Sequence, residues 1–142
     1  MNSRLNLALR ERLGYVNGID AQYSAFTDSG MFGIYFGTDP NQLQKSRRVV
    51  MKELRSLKNK PLGTMQLHKA KEQLMGQLAM AEENNLNFML MMGKSILDLG
   101  KVQSLDDIFS KIRRIKSVEL TDIANEMFDE NNLSLLTFLP KS

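Results

Sequence analysis

Three polar side chains crowd one short stretch of this chain. They are Arg10, Tyr15 and Asn17, in the run Leu9-Arg10-Glu11-Arg12-Leu13-Gly14-Tyr15-Val16-Asn17. A guanidinium and a phenol brought together by a tight turn can bind a carbonyl or a carboxylate, as a peptide-binding site requires. The plain alternative is a cation placed where a helix C-terminus favours one, followed by a core tyrosine. Taken as chemistry alone, the residue types favour that alternative.

The remaining candidates are weaker. His68 is the single histidine, and His68-Lys69-Ala70-Lys71-Glu72 is neither H-E-x-x-H nor H-x-x-E-H. A catalytic zinc site needs two or three histidines, or histidines with cysteines, and cysteine is absent. His68 with Glu72 one turn on therefore reads as a surface pair. Met89, Met91 and Met92 read as core filling rather than a partner groove, although methionine suits both. The basic run Lys45 to Lys60 has little aromatic interleaving and lies opposite an apolar stripe, so it reads as a solvated helix face. Arg113, Arg114 and Lys116 read the same way. Glu82-Glu83 and Asp106-Asp107 are neighbours that point in different directions on a helix, so neither is a catalytic dyad. No phosphate-binding glycine loop or nucleophile elbow occurs. No residue is assigned a catalytic role, and none a metal.

Around these residues the chain reads as follows. Asn2 or Ser3 caps a helix whose apolar face is Leu5, Ala8, Leu9 and Leu13. Gly14 ends it, because glycine tolerates the left-handed cap. From Tyr15 the period becomes two. Tyr15, Ile19, Ala21, Tyr23 and Ala25 share one face with Asn17 among them, and Gly18, Asp20, Gln22 and Ser24 share a solvated one. Thr27-Asp28-Ser29-Gly30 is a turn, and Met31–Gly37 returns with Phe32, Ile34 and Phe36 on one face. Gly33 and Gly37 lie opposite, where close approach is expected. Thr38 or Asp39 caps the next helix, with Pro40 at its first position. Its stripe is Leu43, Val50, Leu54 and Leu57.

Pro61 and Gly63 break the chain, and Thr64 caps a helix with the stripe Leu67, Ala70, Leu74, Leu78 and Ala81. A polar joint, Glu82-Glu83-Asn84-Asn85, leads to Leu86–Leu99. That segment is apolar nearly all round and is expected to be buried; Gly100 ends it. Ser104 with Asp107 resembles a capping box, with Asp in place of the usual Glu. The stripe Leu105, Ile108, Ile112 and Ile115 follows. Ser117 caps a last helix carrying Leu120, Ile123, Ala124, Met127 and Phe128. After a turn at Asp129–Asn132, Leu133–Leu139 reads as a closing strand stopped by Pro140. The expectation is one α+β domain over residues 1–142, with a small, largely antiparallel sheet (the hairpin plus the C-terminal strand) covered by about six helices.

With 142 residues, 42% hydrophobic and 25% charged, the chain suits one globular domain. The net charge of +3 is too small to point to nucleic acid. No segment approaches the roughly 20 apolar residues of a membrane span. Zero cysteines fit a reducing, cytoplasmic compartment.

The run NSRLNLALRERLGYVNGIDAQYS followed by DSGMFGIYFGTDP resembles the second homologous half of the insulinase/pitrilysin family of zinc metallopeptidases. The closer resemblance is to its mitochondrial-processing-peptidase-like bacterial branch. It continues through LHKAKEQLMGQLAMAEENN and the closing helix and strand, and so covers essentially the whole chain. The resemblance implies two related halves that close around an unfolded peptide. Zinc sits on an H-x-x-E-H helix of the other, N-terminal half. This half supplies an arginine and a tyrosine that grip the substrate.

In the bacterial branch the arginine follows a leucine and precedes a glutamate, as Arg10 does here, but Asn17 stands at the tyrosine's position. In the insulinase branch the tyrosine follows Leu-Gly, as Tyr15 does, but Ala8 then stands at the arginine's. Either the grip is remodelled on Arg10, Tyr15 and Asn17, or this half is structural.

The resemblance thus implies a substrate-binding and enclosing domain, the C-terminal part of the non-zinc half of a metalloendopeptidase, inactive alone. The alternative is a non-catalytic partner subunit or structural homologue of the same family. A basic nucleic-acid module is a third reading. An upstream strand is expected before Met1. Without it, an exposed sheet edge would favour self-association, a homo-oligomer through that edge.

Overall fold

The computed structural model describes residues 3–82 and 85–139. They fall into two compact units, one within residues 3–60 and 121–139 and one within residues 61–82 and 85–120. Asn2 as an alternative cap, the joint at Glu83 and Asn84, and Pro140 lie outside the described residues.

The first unit opens with a helix over Asn6–Arg12, and it is of the wide π type rather than an α-helix. Ser3 does cap this turn: its Oγ accepts the Asn6 amide at 3.2 Å. The wider turn changes which side chains face inward. Leu9 is fully buried and Leu5 packs beside it, but Leu13 is exposed and Asn6 is buried in its place. Gly14, at φ +60°, ends the helix in the left-handed conformation.

Strands β1 (Val16–Ala25) and β2 (Gly30–Thr38) form the antiparallel hairpin. Ala25 pairs with Gly30, and the Phe26 amide bonds to the Ser29 carbonyl at 2.9 Å, closing the four-residue loop 26–29. Gly18 pairs with Gly37 but Val16 pairs with Thr38, so Asn17 is an extra residue, a β-bulge. The bulge resets the alternation. Val16 and Ile19 both join the core, while Asn17 is exposed. Strict period two had placed Asn17 on the face of Tyr15 and Ile19. Beyond Ile19 the predicted inner residues Ala21, Tyr23 and Ala25 are exposed. Close approach does occur at Gly33, where a Cβ would lie 2.9 Å from the Tyr35 ring, and not at Gly37.

A 3₁₀ turn at Pro40–Gln42 leads into α1 (Leu43–Asn59). Val50 and Leu54 of α1 complete a core cluster with Leu9 and Val16, and Tyr15, Ile34, Phe36 and Phe128 pack around it. Arg4 at the other end of the π-helix pairs with Glu53 of α1 at 3.0 Å. The Phe32 and Phe128 rings meet at 5.3 Å. Residues 133–139 form no strand: among the described residues the sheet has two strands, β1 and β2. Apolar enrichment signals a strand, but a strand exists only where a partner edge supplies its hydrogen bonds. Here both parities of the segment stay exposed, Leu135 at 59% and Leu136 at 76%.

The second unit contains α2 (Thr64–Glu82), α3 (Asn85–Leu99) and α4 (Leu105–Arg114), and α5 (Ser117–Met127) begins in it. α2 packs against α3 and α4. On α2 the buried residue is Met75; Leu74 of the expected stripe is exposed. The expectation that α3 is buried is overturned, since Leu86, Met89, Leu90, Ile96 and Leu97 are exposed. An all-round apolar helix needs cover on every side, and this unit offers α3 one packed neighbour, α2. The capping box forms: Ser104 Oγ accepts the Asp107 amide at 3.1 Å, and Asp107 Oδ2 accepts the Ser104 amide at 3.3 Å and the Ser104 hydroxyl at 2.7 Å.

Candidate functional site

The helix-to-strand corner of the first unit is built from the backbone outward. The Gly14 amide bonds to the Arg10 carbonyl at 3.1 Å, and the Tyr15 amide to the Leu9 carbonyl at 2.9 Å. These two bonds fold the chain back, so that Tyr15 leaves the helix pinned to Leu9, the most buried core residue. The Tyr15 carbonyl then accepts Thr38 Oγ1 at 2.5 Å. Thr38 Oγ1 also lies 3.3 Å from Ser46 Oγ, and Ser46 is fully buried. Tyr15 is held by three elements at once: the π-helix, the end of β2 and the first turns of α1.

The side chains are arranged as follows. The Tyr15 ring is half-buried against the core, with Lys45 Nζ 5.9 Å from its centroid. A cation at that distance from a ring face is weakly held there. Arg10 and Arg12 are exposed on the π-helix, and Asn17 is exposed on the bulge. Among the described residues no ion pair engages Arg10, Arg12 or Lys45. No hydrogen bond joins the side chains of Arg10, Tyr15 and Asn17 to one another. Among the described residues two buried carbonyl oxygens, Asn6 Oδ1 on the π-helix and Gln42 Oε1 just before α1, have no hydrogen-bond donor.

The corner therefore offers a charged guanidinium, a phenol set on a rigid backbone and an accessible carboxamide. Such groups donate to a carbonyl or carboxylate; none is placed to attack one. Of the three residues read from the sequence, Tyr15 is fixed by its neighbours, while Arg10 and Asn17 present free ends. Lys45, Thr38 and Ser46 escaped the sequence reading. By periodicity Lys45 belongs to a solvated helix face, and by residue type Thr38 is a cap. Counting the ladder back from the turn would have brought Thr38 to the start of β1, but only with the bulge included.

His68 and Glu72, in the second unit, line an open cavity of about 420 Å³ with Thr64, Leu67, Lys71 and Arg113. Lys71 Nζ donates to the Arg113 carbonyl at 2.7 Å, which ties α2 to α4. Among the described residues no group of three or more His, Cys, Asp or Glu side chains is placed to hold a metal ion. The donor set does not fit a catalytic zinc.

A family model described as the peptidase M16 inactive domain matches residues 1–74. The uncharacterized zinc protease YmxG of Bacillus subtilis is 33% identical over 131 residues, which are 92% of this chain and 32% of that protein. The mitochondrial-processing peptidase subunit beta of Saccharomyces cerevisiae is 22% identical over 136 residues, 94% of this chain and 29% of that one. In the solved structure of Complex III2 from Candida albicans with Inz-5 bound, one chain superposes with a TM-score of 0.79 at 22% identity. The superposition covers 89% of this chain and 30% of that one, and shows likeness of fold. The chain spans about a third of the length of the curated relatives it matches.

Proposed function

We propose, for a chain that belongs to the M16 peptidase family through its inactive domain, that it holds and encloses peptide for a zinc active site carried elsewhere. That site would lie in an N-terminal zinc-bearing half or in a partner subunit, and a zinc ion held there would supply Lewis-acid polarisation of the scissile carbonyl and an activated water. The observation that carries this reading is the corner itself, where the chain turns back between an exposed Arg10 and a Tyr15 whose backbone is bonded to Leu9 and Thr38. Arg10 anchors a peptide carbonyl or carboxylate, and Tyr15 or Asn17 adds a second contact.

The test is kinetic, in the full-length protein or complex. Arg10→Ala should raise KM for a peptide substrate about tenfold or more, the loss of a charge-assisted hydrogen bond. Asn17→Tyr should lower KM. Unchanged KM in both variants would make the corner structural.

A second reading, a non-catalytic partner subunit or structural homologue, is favoured by Asn17, an exposed carboxamide on a bulge rather than a phenol. Under either reading the exposed edges of the two-stranded sheet and the apolar segment 133–139 suit association with a second copy or with the rest of the protein.

A further inference from the structure

We infer that the corner prefers peptides carrying a carboxylate, and that Lys45 is the residue that sets the preference; this rests on the corner being a peptide-holding site. Lys45 Nζ stands 5.9 Å from the Tyr15 ring centroid. Its place is not incidental. The next residue, Ser46, is fully buried and lies against Thr38, which in turn grips the Tyr15 carbonyl. The backbone that carries Lys45 is thereby tied to the backbone that carries Tyr15. The contact to the ring face uses the charge and leaves the ammonium's N–H donors free.

On the other side of Tyr15 in the chain, Arg10 and Arg12 are exposed in the last turn of the π-helix. Glu11 lies between them and is exposed as well. Three cations against two carboxylates, Glu11 and the exposed Asp39 that follows Thr38, leave the corner with a net positive charge, and among the described residues none of the three cations has an ion-pair partner. Elsewhere in this unit Arg4 and Arg55 pair with Glu53 and Glu130, while Arg47, Arg48 and Lys52 share the corner cations' lack of an ion-pair partner among the described residues.

A neutral peptide carbonyl would be held by ordinary hydrogen bonds. An acidic side chain or a C-terminal carboxylate would meet charge-assisted ones, roughly twice as strong. A basic peptide would meet repulsion. Because Lys45 is exposed, the discrimination is moderate and falls with salt.

Fluorescence anisotropy with the 142-residue chain tests this. Three labelled peptides of equal length would be used, one acidic, one uncharged and one basic. The acidic peptide should bind about three- to tenfold tighter than the uncharged one at low salt. The ratio should shrink at high salt. Lys45→Met keeps the aliphatic stem over the ring and should bring the ratio near one, while Lys45→Arg should keep it. Melting curves establish that both variants fold. Equal binding of the three peptides, or a preference that survives Lys45→Met, would overturn the inference and leave the peptide-holding reading intact. Failure of every peptide to bind would overturn both.

Discussion

Thr38 Oγ1 donates to the Tyr15 carbonyl oxygen at 2.5 Å, across the open end of the hairpin and one step from the buried Ser46 hydroxyl. The contact sets where the first strand begins. Asn17 is left over between Val16 and Gly18 in the ladder, so without this clamp the strand could slide by one residue. A slip of one would turn Val16 out of the core and Asn17 into it.

Replacing Thr38 tests the clamp. Thr38→Val keeps the shape and removes the donor, leaving a part-buried carbonyl and a buried Ser46 hydroxyl without their partner. The expected cost is about 1–2 kcal/mol, read as a lower urea midpoint at unchanged slope. Thr38→Ser should recover most of it. If Thr38→Val unfolds at the parent midpoint, the corner is held by packing alone.

The π-helix predicts an asymmetry between two leucines that look equivalent in sequence. Leu9 is 0% exposed and Leu13 is 43% exposed. Leu9→Ala should cost about 2–5 kcal/mol, as a buried leucine does when truncated to leave a cavity. Leu13→Ala should fall within about 0.5 kcal/mol of the parent, as exposed substitutions do. An ordinary α-helix would make both costly, so comparable losses in a denaturation series would argue for α geometry.

The Ser104–Asp107 capping box gives a pH dependence. Hydrogen bonds from the Ser104 side chain, then from its backbone, hold the Asp107 carboxyl below its ordinary value. A carboxyl so depressed stabilises the fold above its unfolded value, and that contribution is lost as pH falls through the folded one. The stability gap between the parent and Ser104→Ala should therefore be widest near neutrality and narrow in acid below the ordinary carboxylate range. Carboxyl NMR titration of Asp107 should move upward in Ser104→Ala; a titration that does not move would leave the cap without electrostatic content.

Residues 133–139 carry a solubility prediction. Leu136 and Phe138 are exposed, so Leu136→Asp with Phe138→Ser should leave the unfolding midpoint nearly unchanged. The same pair should lower self-association in sedimentation velocity over a range of concentrations. A parent chain that stays monomeric throughout that range would remove the segment as an association surface.

Much of the first unit was legible in the residues. The glycine that ends the first helix, the four-residue turn and the Pro40 start of the next helix are local events. Each depends on a backbone conformation or a missing N–H that one or two residues decide. The Ser104 capping box is local in the same way, and Asp proved able to replace Glu in it. The resemblance carried by the helix and hairpin run was legible too, and residues 1–74 match the family's inactive domain.

What the residues could not declare was anything that depends on a distant partner. The π geometry, the bulge at Asn17 and the burial of Ser46 follow from packing Leu9, Val16, Val50 and Leu54 into one cluster. Periodicity assumes a regular element and misses a single extra residue that repacks both faces. Leu86–Leu99 and Leu133–Leu139 are apolar enough to ask for burial or pairing. Whether they receive it depends on which surface stands opposite, and in the tertiary structure both remain exposed. The corner shows the same division. Sequence alone brought Arg10, Tyr15 and Asn17 into one short run. Only the fold brought Thr38, Lys45 and Ser46 to Tyr15, because hydrogen bonds and cation–ring contacts between elements exist only once those elements are packed.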